Sequence, residues 1–207
     1  MKLYGFGPSR SIRVVWMLQE LGVEYEFVNV DMTKGEHKTA EFLKINPAGK
    51  LPVLVDGDLL LTESVAINLY LAEKYPEKGF LPADLAARAH VISWLLFAAT
   101  ELEQPLWRMA RHRNLYPKEK RIPEELPLAR KDFTDMAAVL DAQLQGRQFL
   151  VGDNVTVADF VMAYTLDWAN EVELLETFPG LRAYMERMYE RPNAAPRLAV
   201  ALASVRK

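Results

Sequence analysis

Two serines stand two residues apart in the turn Gly7-Pro8-Ser9-Arg10-Ser11, between a short apolar run and a segment of helical period. Hydroxyls and backbone N–H groups at the start of a helix can stabilise negative charge on a bound atom. They are not equipped as nucleophiles, because a serine nucleophile needs a base beside it. The only histidines are His37, His90 and His112, and no G-x-S-x-G elbow occurs. None of these histidines has another at i+3 or i+4, and the chain has no cysteine, so no metal site and no thiol of the protein's own is expected. P-loop and dinucleotide fingerprints are missing, and Gly5-Phe6-Gly7 alone is too short to count.

The elements that must carry this turn are short and change period every ten residues or so up to Tyr75. Lys2 to Phe6 reads as a strand. Val14, Met17, Leu18 and Leu21 then form one helical face, stopped by Gly22. Tyr25 to Val30 reads as a second strand, which completes a β-α-β unit. A polar, partly helical stretch from Met32 to Leu43 leads to the turn Asn46-Pro47-Ala48-Gly49. Pro52 to Val55 and Leu59 to Leu61 flank Asp56-Gly57-Asp58, a hairpin signal, and Thr62-Glu63-Ser64 opens a helix through Ile67, Tyr70 and Leu71.

Two prolines and a glycine between Pro76 and Pro82 mark a change of regime. Beyond it every long segment has helical period, with stripes at Val91, Trp94, Leu95 and Ala98, at Phe133, Met136, Ala137 and Leu140, and at Leu181, Tyr184, Met185 and Met188. Pro105 is expected to bend or end the first of these helices. Thr156-Val157-Ala158-Asp159 has capping-box spacing with Asp in place of Glu, and Val155 with Phe160 occupies the positions of a hydrophobic staple. The expected organisation is an α/β domain over residues 1–78, a linker over 79–84 and an all-helical domain over 85–207.

With 207 residues, 50% of them hydrophobic, the chain can close two cores, and its net charge of −3 offers no field to attract a phosphate backbone. No nucleic-acid partner is expected. The N-terminus lacks the apolar stretch of a signal peptide, and Val91 to Ala99 is too short to span a bilayer, so no membrane association and a cytoplasmic location are expected.

Taken in order along the whole chain, these motifs resemble the cytosolic glutathione transferase family, in its serine-type, bacterial, phi- and theta-like branch. The resemblance rests on the Ser-containing turn, on Gly35-Glu36-His37-Lys38, on Asn46-Pro47-Ala48-Gly49-Lys50-Leu51-Pro52-Val53-Leu54, on Glu63-Ser64-Val65-Ala66-Ile67, and on the capping box. It implies a thioredoxin-like N-terminal domain followed by a helical C-terminal domain, glutathione as co-substrate without a metal, and a homodimer. By this resemblance Pro52 is cis and Leu51 pairs its backbone with the cysteinyl part of glutathione. Ser64 and the N–H at its helix start take the γ-glutamyl carboxylate, while Glu63 helps to hold the ammonium group. His37, Lys38 and Lys50 match positions near the glycine carboxylate. Ser9 is the leading candidate to activate the thiol and Ser11 the second, because the loop is about one residue shorter than the serine-type pattern. A helix cap is the other use for either hydroxyl.

A cysteine thiol titrates near 8.5, and lowering that by about two units takes roughly 2.7 kcal/mol. A hydroxyl donating to charged sulfur can supply about 1.5–3 kcal/mol and a helix N-terminus about 0.3–1. The implied activity is attack of the thiolate on a small hydrophobic electrophile, as in detoxification. Trp107, Met109, Tyr164 and Trp168 are candidates for the walls that hold the electrophile, with Arg111 as an anion anchor. The basic run Arg108 to Arg113 reads otherwise as a solvated face. A glutathione-dependent peroxidase or disulfide reductase, or a non-catalytic glutathione-binding module, are the other readings of the same motifs.

Overall fold

The first strand, β1 (Lys2–Gly5), buries Leu3 completely and pairs in parallel with β2 (Glu26–Asn29) and antiparallel with β3 (Val53–Asp56). Antiparallel pairing of β3 with β4 (Leu59–Thr62) completes a four-stranded mixed sheet of order β2-β1-β3-β4. The computed structural model describes residues 1–205. The crossover between β1 and β2 is α1 (Ser11–Leu21), whose Val14, Met17, Leu18 and Leu21 are buried as their spacing predicts. Gly22 ends it in the left-handed region (φ 68°), giving its N–H to the carbonyls of Leu18 and Gln19. Helix α3 (Ser64–Lys74) packs against α1.

The polar stretch after β2 resolves into two single 3₁₀ turns, Met32–Lys34 and Glu36–Lys38, followed by α2 (Ala40–Ile45). Thr39 caps α2 by accepting the Phe42 N–H at 3.3 Å. Tyr4 and Val53 are register partners one residue along from Leu3, so they face the other way. There they join Phe6, Val30, Phe42 and Leu51 in a second small core.

Residues Met1–Leu81 form one compact unit together with the segment from Arg191 onward, and Pro82–Glu190 forms another. Two observations tie the late segment to the first unit. The Arg191 guanidinium donates to both oxygens of Glu20 at 2.6 and 2.8 Å, with Trp16 Nε1 adding a third bond to Glu20 at 3.2 Å. Helix α9 (Leu198–Val205) brings Ala201 and Ser204 against Gly7, where an added Cβ would sit 3.9 Å from the Ala201 methyl.

The second unit is helical. Helix α4 (Leu85–Phe97) is capped by Asp84, which accepts the Ala87 N–H at 2.8 Å, and continues through a π turn at Ala98–Leu102 into α5 (Glu103–Ala110) and a further π turn at Arg111–Leu115. Pro105 therefore does not end the helical run. Lacking an N–H for the turn before it, the proline follows a wider turn, and Gln104 Nε2 serves the Ala99 carbonyl at 3.2 Å. The whole run Leu85–Leu115 is long and apolar enough to cross a bilayer by length and composition alone, which the shorter stretch Val91–Ala99 is not. It packs against α6 (Glu125–Leu144) and α7 (Val157–Glu171).

Helix α7 is buried along most of its length and packs on α8 (Pro179–Tyr189), whose Leu181, Tyr184, Met185 and Met188 are inside. Its capping box forms as the spacing predicts. The Asp159 carboxylate accepts the Thr156 N–H at 2.8 Å and hydroxyl at 2.9 Å, the Leu150 N–H at 3.0 Å and the Tyr184 hydroxyl at 2.7 Å. Burial raises the Asp159 carboxyl above its ordinary value, and those four donors oppose the rise. Burial and the neighbouring carboxylate push Tyr184 well above 10, so its hydroxyl remains a donor.

Candidate functional site

Sheet register decides where the predicted residues meet. Tyr4 pairs with Val53, and Val53 with Thr62, so the C-terminal end of β1, the N-terminal end of β3 and the C-terminal end of β4 lie at one edge of the sheet. The turn carrying Ser9 and Ser11, the dipeptide Leu51-Pro52 and the pair Glu63-Ser64 all continue from those three ends. Residues separated by more than fifty positions in sequence are thereby collected along one rim of the first unit.

The hydroxyls of the turn form a closed ring of hydrogen bonds. Phe6 N–H donates to Ser11 Oγ at 3.2 Å, the two hydroxyls lie 2.8 Å apart, and Ser9 Oγ donates to the Phe6 carbonyl at 2.7 Å. A hydroxyl has one proton, so with Ser9 donating to Phe6 the bond between the serines takes its proton from Ser11. The two serines are therefore not equivalent. Ser11 is 1% exposed and occupied on both sides, whereas Ser9 is partly open to solvent and could turn its proton outward while still accepting from Ser11.

The same count changes the expectation of free N–H groups at the start of α1. Ser11 N–H is taken by Ser9 Oγ at 3.2 Å, Ile12 N–H by the Ser9 carbonyl at 3.1 Å and Arg13 N–H by the Arg10 carbonyl at 3.2 Å. A tight first turn uses these donors internally, and what the helix start offers a ligand is its field. Replacing Ser11 with alanine leaves the buried Phe6 N–H without its acceptor. Urea unfolding should then show a loss of about 1–3 kcal/mol, with Ser11→Thr recovering part of it.

The Leu51–Pro52 peptide is cis. Both residues are buried, Leu51 in the small core with Phe6. The loop ahead of them is held by Asn46, whose Nδ2 donates to the Lys50 carbonyl at 2.8 Å and whose Oδ1 accepts the Ala48 N–H at 3.1 Å. Gly49 has φ 58°, and an added Cβ there would lie 2.7 Å from Lys38 Nζ and 2.9 Å from the His37 carbonyl. Only glycine fits so close an approach. The turn Asn46–Gly49 is thus seated under the 3₁₀ turn of His37 and Lys38, which brings these two to the Lys50 loop.

The charges there differ from a simple cationic cluster. Lys50 and Lys38 are exposed, and Lys38 Nζ donates to the Ala48 carbonyl at 3.4 Å. Burial, reinforced by the Lys38 charge, lowers the His37 pKa below its ordinary 6.5, so its ring is neutral at neutral pH. His37 Nδ1 is shielded from solvent and has no hydrogen-bond partner among the described residues. His37 can serve as a neutral hydrogen-bonding group there, and the lysines supply the positive charge.

Glu63 precedes α3 with φ 67° and ψ 114°, a conformation that costs a non-glycine residue on the order of 1–3 kcal/mol. Held this way it is exposed, while Ser64 is buried at the first position of the helix. Arg13, 1% exposed, donates from Nη1 to Ser64 Oγ at 3.3 Å, and Asn68 Nδ2 donates to the Arg13 carbonyl at 3.2 Å. A guanidinium cannot accept, so Ser64 Oγ is the acceptor in that bond and keeps its own proton to give. Sequence pattern alone had not singled out Arg13: it reads as one more helical residue, and the only signal was a cation at a helix position whose neighbours Ile12 and Val14 are both apolar.

A cavity of about 450 Å³ adjoins the serine turn at Gly7 and is bounded by Phe27, Asn29, Asp31, Thr33 and Ser204. Its outer wall combines β2, the first 3₁₀ turn and α9, a set no local pattern links. Asp31 accepts from the Thr33 hydroxyl and N–H, and those bonds with Lys34 hold its carboxyl down to about 2. Of the residues considered for the electrophile, Met109 and Tyr164 are core, at 3% and 2% exposed; Arg108, read as part of a solvated face, is paired with Glu125 and Asp132. Trp107 and Trp168 remain half-buried with their rings edge to face at 6.4 Å. Among the described residues no cluster of His, Asp or Glu has the geometry of a metal site.

Residues 1–73 match the model for the glutathione S-transferase N-terminal domain, and residues 99–192 the model for the glutathione S-transferase C-terminal domain. A zeta-class glutathione S-transferase of Euphorbia esula is 39% identical over 165 residues, covering 78% of this chain and 72% of the other. The chain belongs to the glutathione S-transferase family. A probable glutathione S-transferase of Oryza sativa subsp. japonica is 34% identical with 94% of each chain covered. Among solved structures, a Phanerochaete chrysosporium glutathione transferase in complex with oxidised glutathione superposes with a TM-score of 0.84 at 28% identity, covering 98% of this chain and 94% of the other. The four-stranded mixed sheet followed by helices is the glutathione transferase fold, with a thioredoxin-like first part and a helical second part.

Proposed function

We propose that this glutathione transferase binds glutathione along the rim of its first unit and presents the sulfur, as thiolate, to a small hydrophobic electrophile. The observation that carries the reading is the convergence of the Ser9 turn, the cis Leu51–Pro52 peptide and the strained Glu63 ahead of Ser64 on one end of the sheet. Residues 1–78 are the glutathione-binding domain in this reading, 79–84 the linker and 85–207 the helical domain. Ser64, held as a donor by Arg13, and the start of α3 take the γ-glutamyl carboxylate, with Glu63 on the ammonium. Leu51 pairs its backbone with the cysteinyl unit ahead of Pro52, and Lys50, Lys38 and neutral His37 meet the glycine end. Ser9 donates to the sulfur, backed by Ser11. No side chain removes the thiol proton, which leaves to water once the anion is stabilised.

A second reading, reduction of hydroperoxides or disulfides by glutathione, has the relative bound to oxidised glutathione in its favour. With no cysteine the chain cannot hold half of a mixed disulfide itself, so a reductase here would have to work through thiolate attack by a second glutathione. Exposed Leu59 and Leu60 on the edge strand β4, and Leu85 and Leu96 on α4, are apolar faces suited to a homodimer. The protein is placed in the cytoplasm in this reading, with no nucleic-acid or membrane partner.

Calorimetry should find glutathione binding at micromolar to millimolar ligand, the purified protein should conjugate 1-chloro-2,4-dinitrobenzene, and its native mass should be twice 23.6 kDa. No heat at millimolar glutathione would sink the reading. Turnover of cumene hydroperoxide or a mixed disulfide without turnover of the aryl chloride would transfer it to the second.

A further inference from the structure

We propose that the cleft bounded by β2, the first 3₁₀ turn and α9 is a binding site for an organic ammonium ion, a primary amine carried on an aromatic body. Every wall of it belongs to the first unit: Phe27 and Asn29 come from β2, Asp31 and Thr33 from the turn that follows, Gly7 from the end of β1, and Ser204 from the late helix. The strand order puts β2 and β4 at the two ends of the sheet, so the cleft stands at the opposite edge from β4 and the Ser64 helix start. Its volume of about 450 Å³ suits a small ligand.

The hydroxyls around the cleft have already spent their protons. Thr33 donates to Asp31 Oδ1 at 2.6 Å, and Ser204 donates to the Ala201 carbonyl at 2.8 Å. A hydroxyl has one proton, so each of these oxygens is left as an acceptor. Asp31 is a carboxylate, kept ionised by its bonds from Thr33 and its pairing with Lys34. Glu36 places a second carboxylate beside it, with Oε2 accepting the Asp31 N–H at 2.7 Å. One cation answers these two anions: Lys34, at 3.2 Å from Asp31 Oδ2 with 73% of its side chain in solvent. A surface pair of that kind is weak, and the local charge stays negative.

The apolar wall is equally built. Phe27 is 42% exposed on the edge strand, and its ring lies over Gly5 of β1, where an added Cβ would meet Phe27 Cε2 at 2.7 Å. The missing side chain of Gly5 is what lets the ring lie across the sheet. Such a ring attracts cations through its quadrupole. An ammonium group brings three donors and a positive charge, which answer the spent hydroxyls, the carboxylates and the ring together. An anion would meet only acceptors and like charge, and a neutral aromatic would use the ring alone.

Calorimetry with phenethylamine, and with 2-phenylethanol as its uncharged counterpart, tests the site without catalysis. The wild-type protein should bind the amine about tenfold or more tightly than the alcohol. Asp31→Asn keeps an oxygen for Thr33 and should remove most of that preference. Ser204→Ala, on a different element, should weaken the amine by about two- to fivefold and leave the alcohol unchanged. Saturating glutathione should shift the amine affinity by less than about twofold, because the two ligands occupy separate places without coupling. Equal affinity for amine and alcohol in the wild type, a preference that survives Asp31→Asn, or displacement of the amine by glutathione overturns the proposal. A protein that takes up the amine but no glutathione would sink only the glutathione reading above.

Discussion

Replacing Asp159 with alanine is expected to lower the stability of the protein by about 3–5 kcal/mol, read as a shift of the urea midpoint followed by tryptophan fluorescence. The carboxylate gathers four donors from three places: the N–H and hydroxyl of Thr156, the Leu150 backbone and the hydroxyl of Tyr184 on α8. Without it the N–H groups of Thr156 and Leu150 and the Tyr184 hydroxyl are left unsatisfied in a buried setting, at about 1–3 kcal/mol each and less than additively. Asp159→Asn keeps the size but turns an NH₂ toward donors, so a smaller loss is expected. The pH dependence has a definite sign. Burial raises this carboxyl above 3.8 in the folded state, so the folded protein takes up a proton at higher pH than the unfolded chain does. This group therefore favours folding increasingly as pH falls from its raised value toward 3.8, and Asp159→Ala removes that part of the acid response. A loss under about 1 kcal/mol would mean that the bonds to Leu150 and Tyr184 are not formed in solution.

Ser9→Ala is expected to raise the pKa of bound glutathione by about one unit, about 1.4 kcal/mol, and to slow conjugation near pH 6.5 by roughly tenfold. The expected shift is smaller than the roughly two units a free hydroxyl and a helix start could together supply, and the ring of hydrogen bonds is the reason. To reach sulfur, the Ser9 proton must leave the Phe6 carbonyl, which costs about 1 kcal/mol of the 1.5–3 gained from a charged acceptor. The bond from Ser11 offsets some of this by polarising the Ser9 hydroxyl. Ultraviolet absorbance of the thiolate against pH measures the shift directly. If the bound thiol titrates identically in Ser9→Ala and wild type, Ser9 has no part in its ionisation.

Much of the first unit was legible in the sequence, for local reasons. Alternation, the Asp-Gly turn, the stripe through Val14 and Leu21 and the stop at Gly22 are each decided within a few residues, and the elements formed where those signals lie. The capping box was equally readable, because Thr156 and Asp159 act across a single turn. What could not be read depends on distant partners. Nothing in Glu63-Ser64 discloses the positive φ of Glu63 or the guanidinium of Arg13 beneath Ser64, fifty-one positions away in the chain. Ser9 ranked ahead of Ser11 in the sequence, but nothing there disclosed that Phe6 gives each a different partner. Of the two outcomes expected at Pro105, a bend or an end, the end is excluded, since a π turn takes up the missing donor and the helical run goes on. Met109 and Tyr164 show the limit of periodicity, which marks an apolar face without telling a core from a ligand wall.

The pairing of Glu20 with Arg191 bears on how the chain is made. Glu20, whose side chain is 4% exposed, gets its cation from a residue synthesised 171 positions later. While the ribosome is still at work, the sheet and α1 can assemble, but an acidic side chain destined for a dry setting has no counter-charge, and Gly7 lacks the helix that covers it. The first unit of this protein is thus completed only by a segment made much later, which closes on it as a clasp.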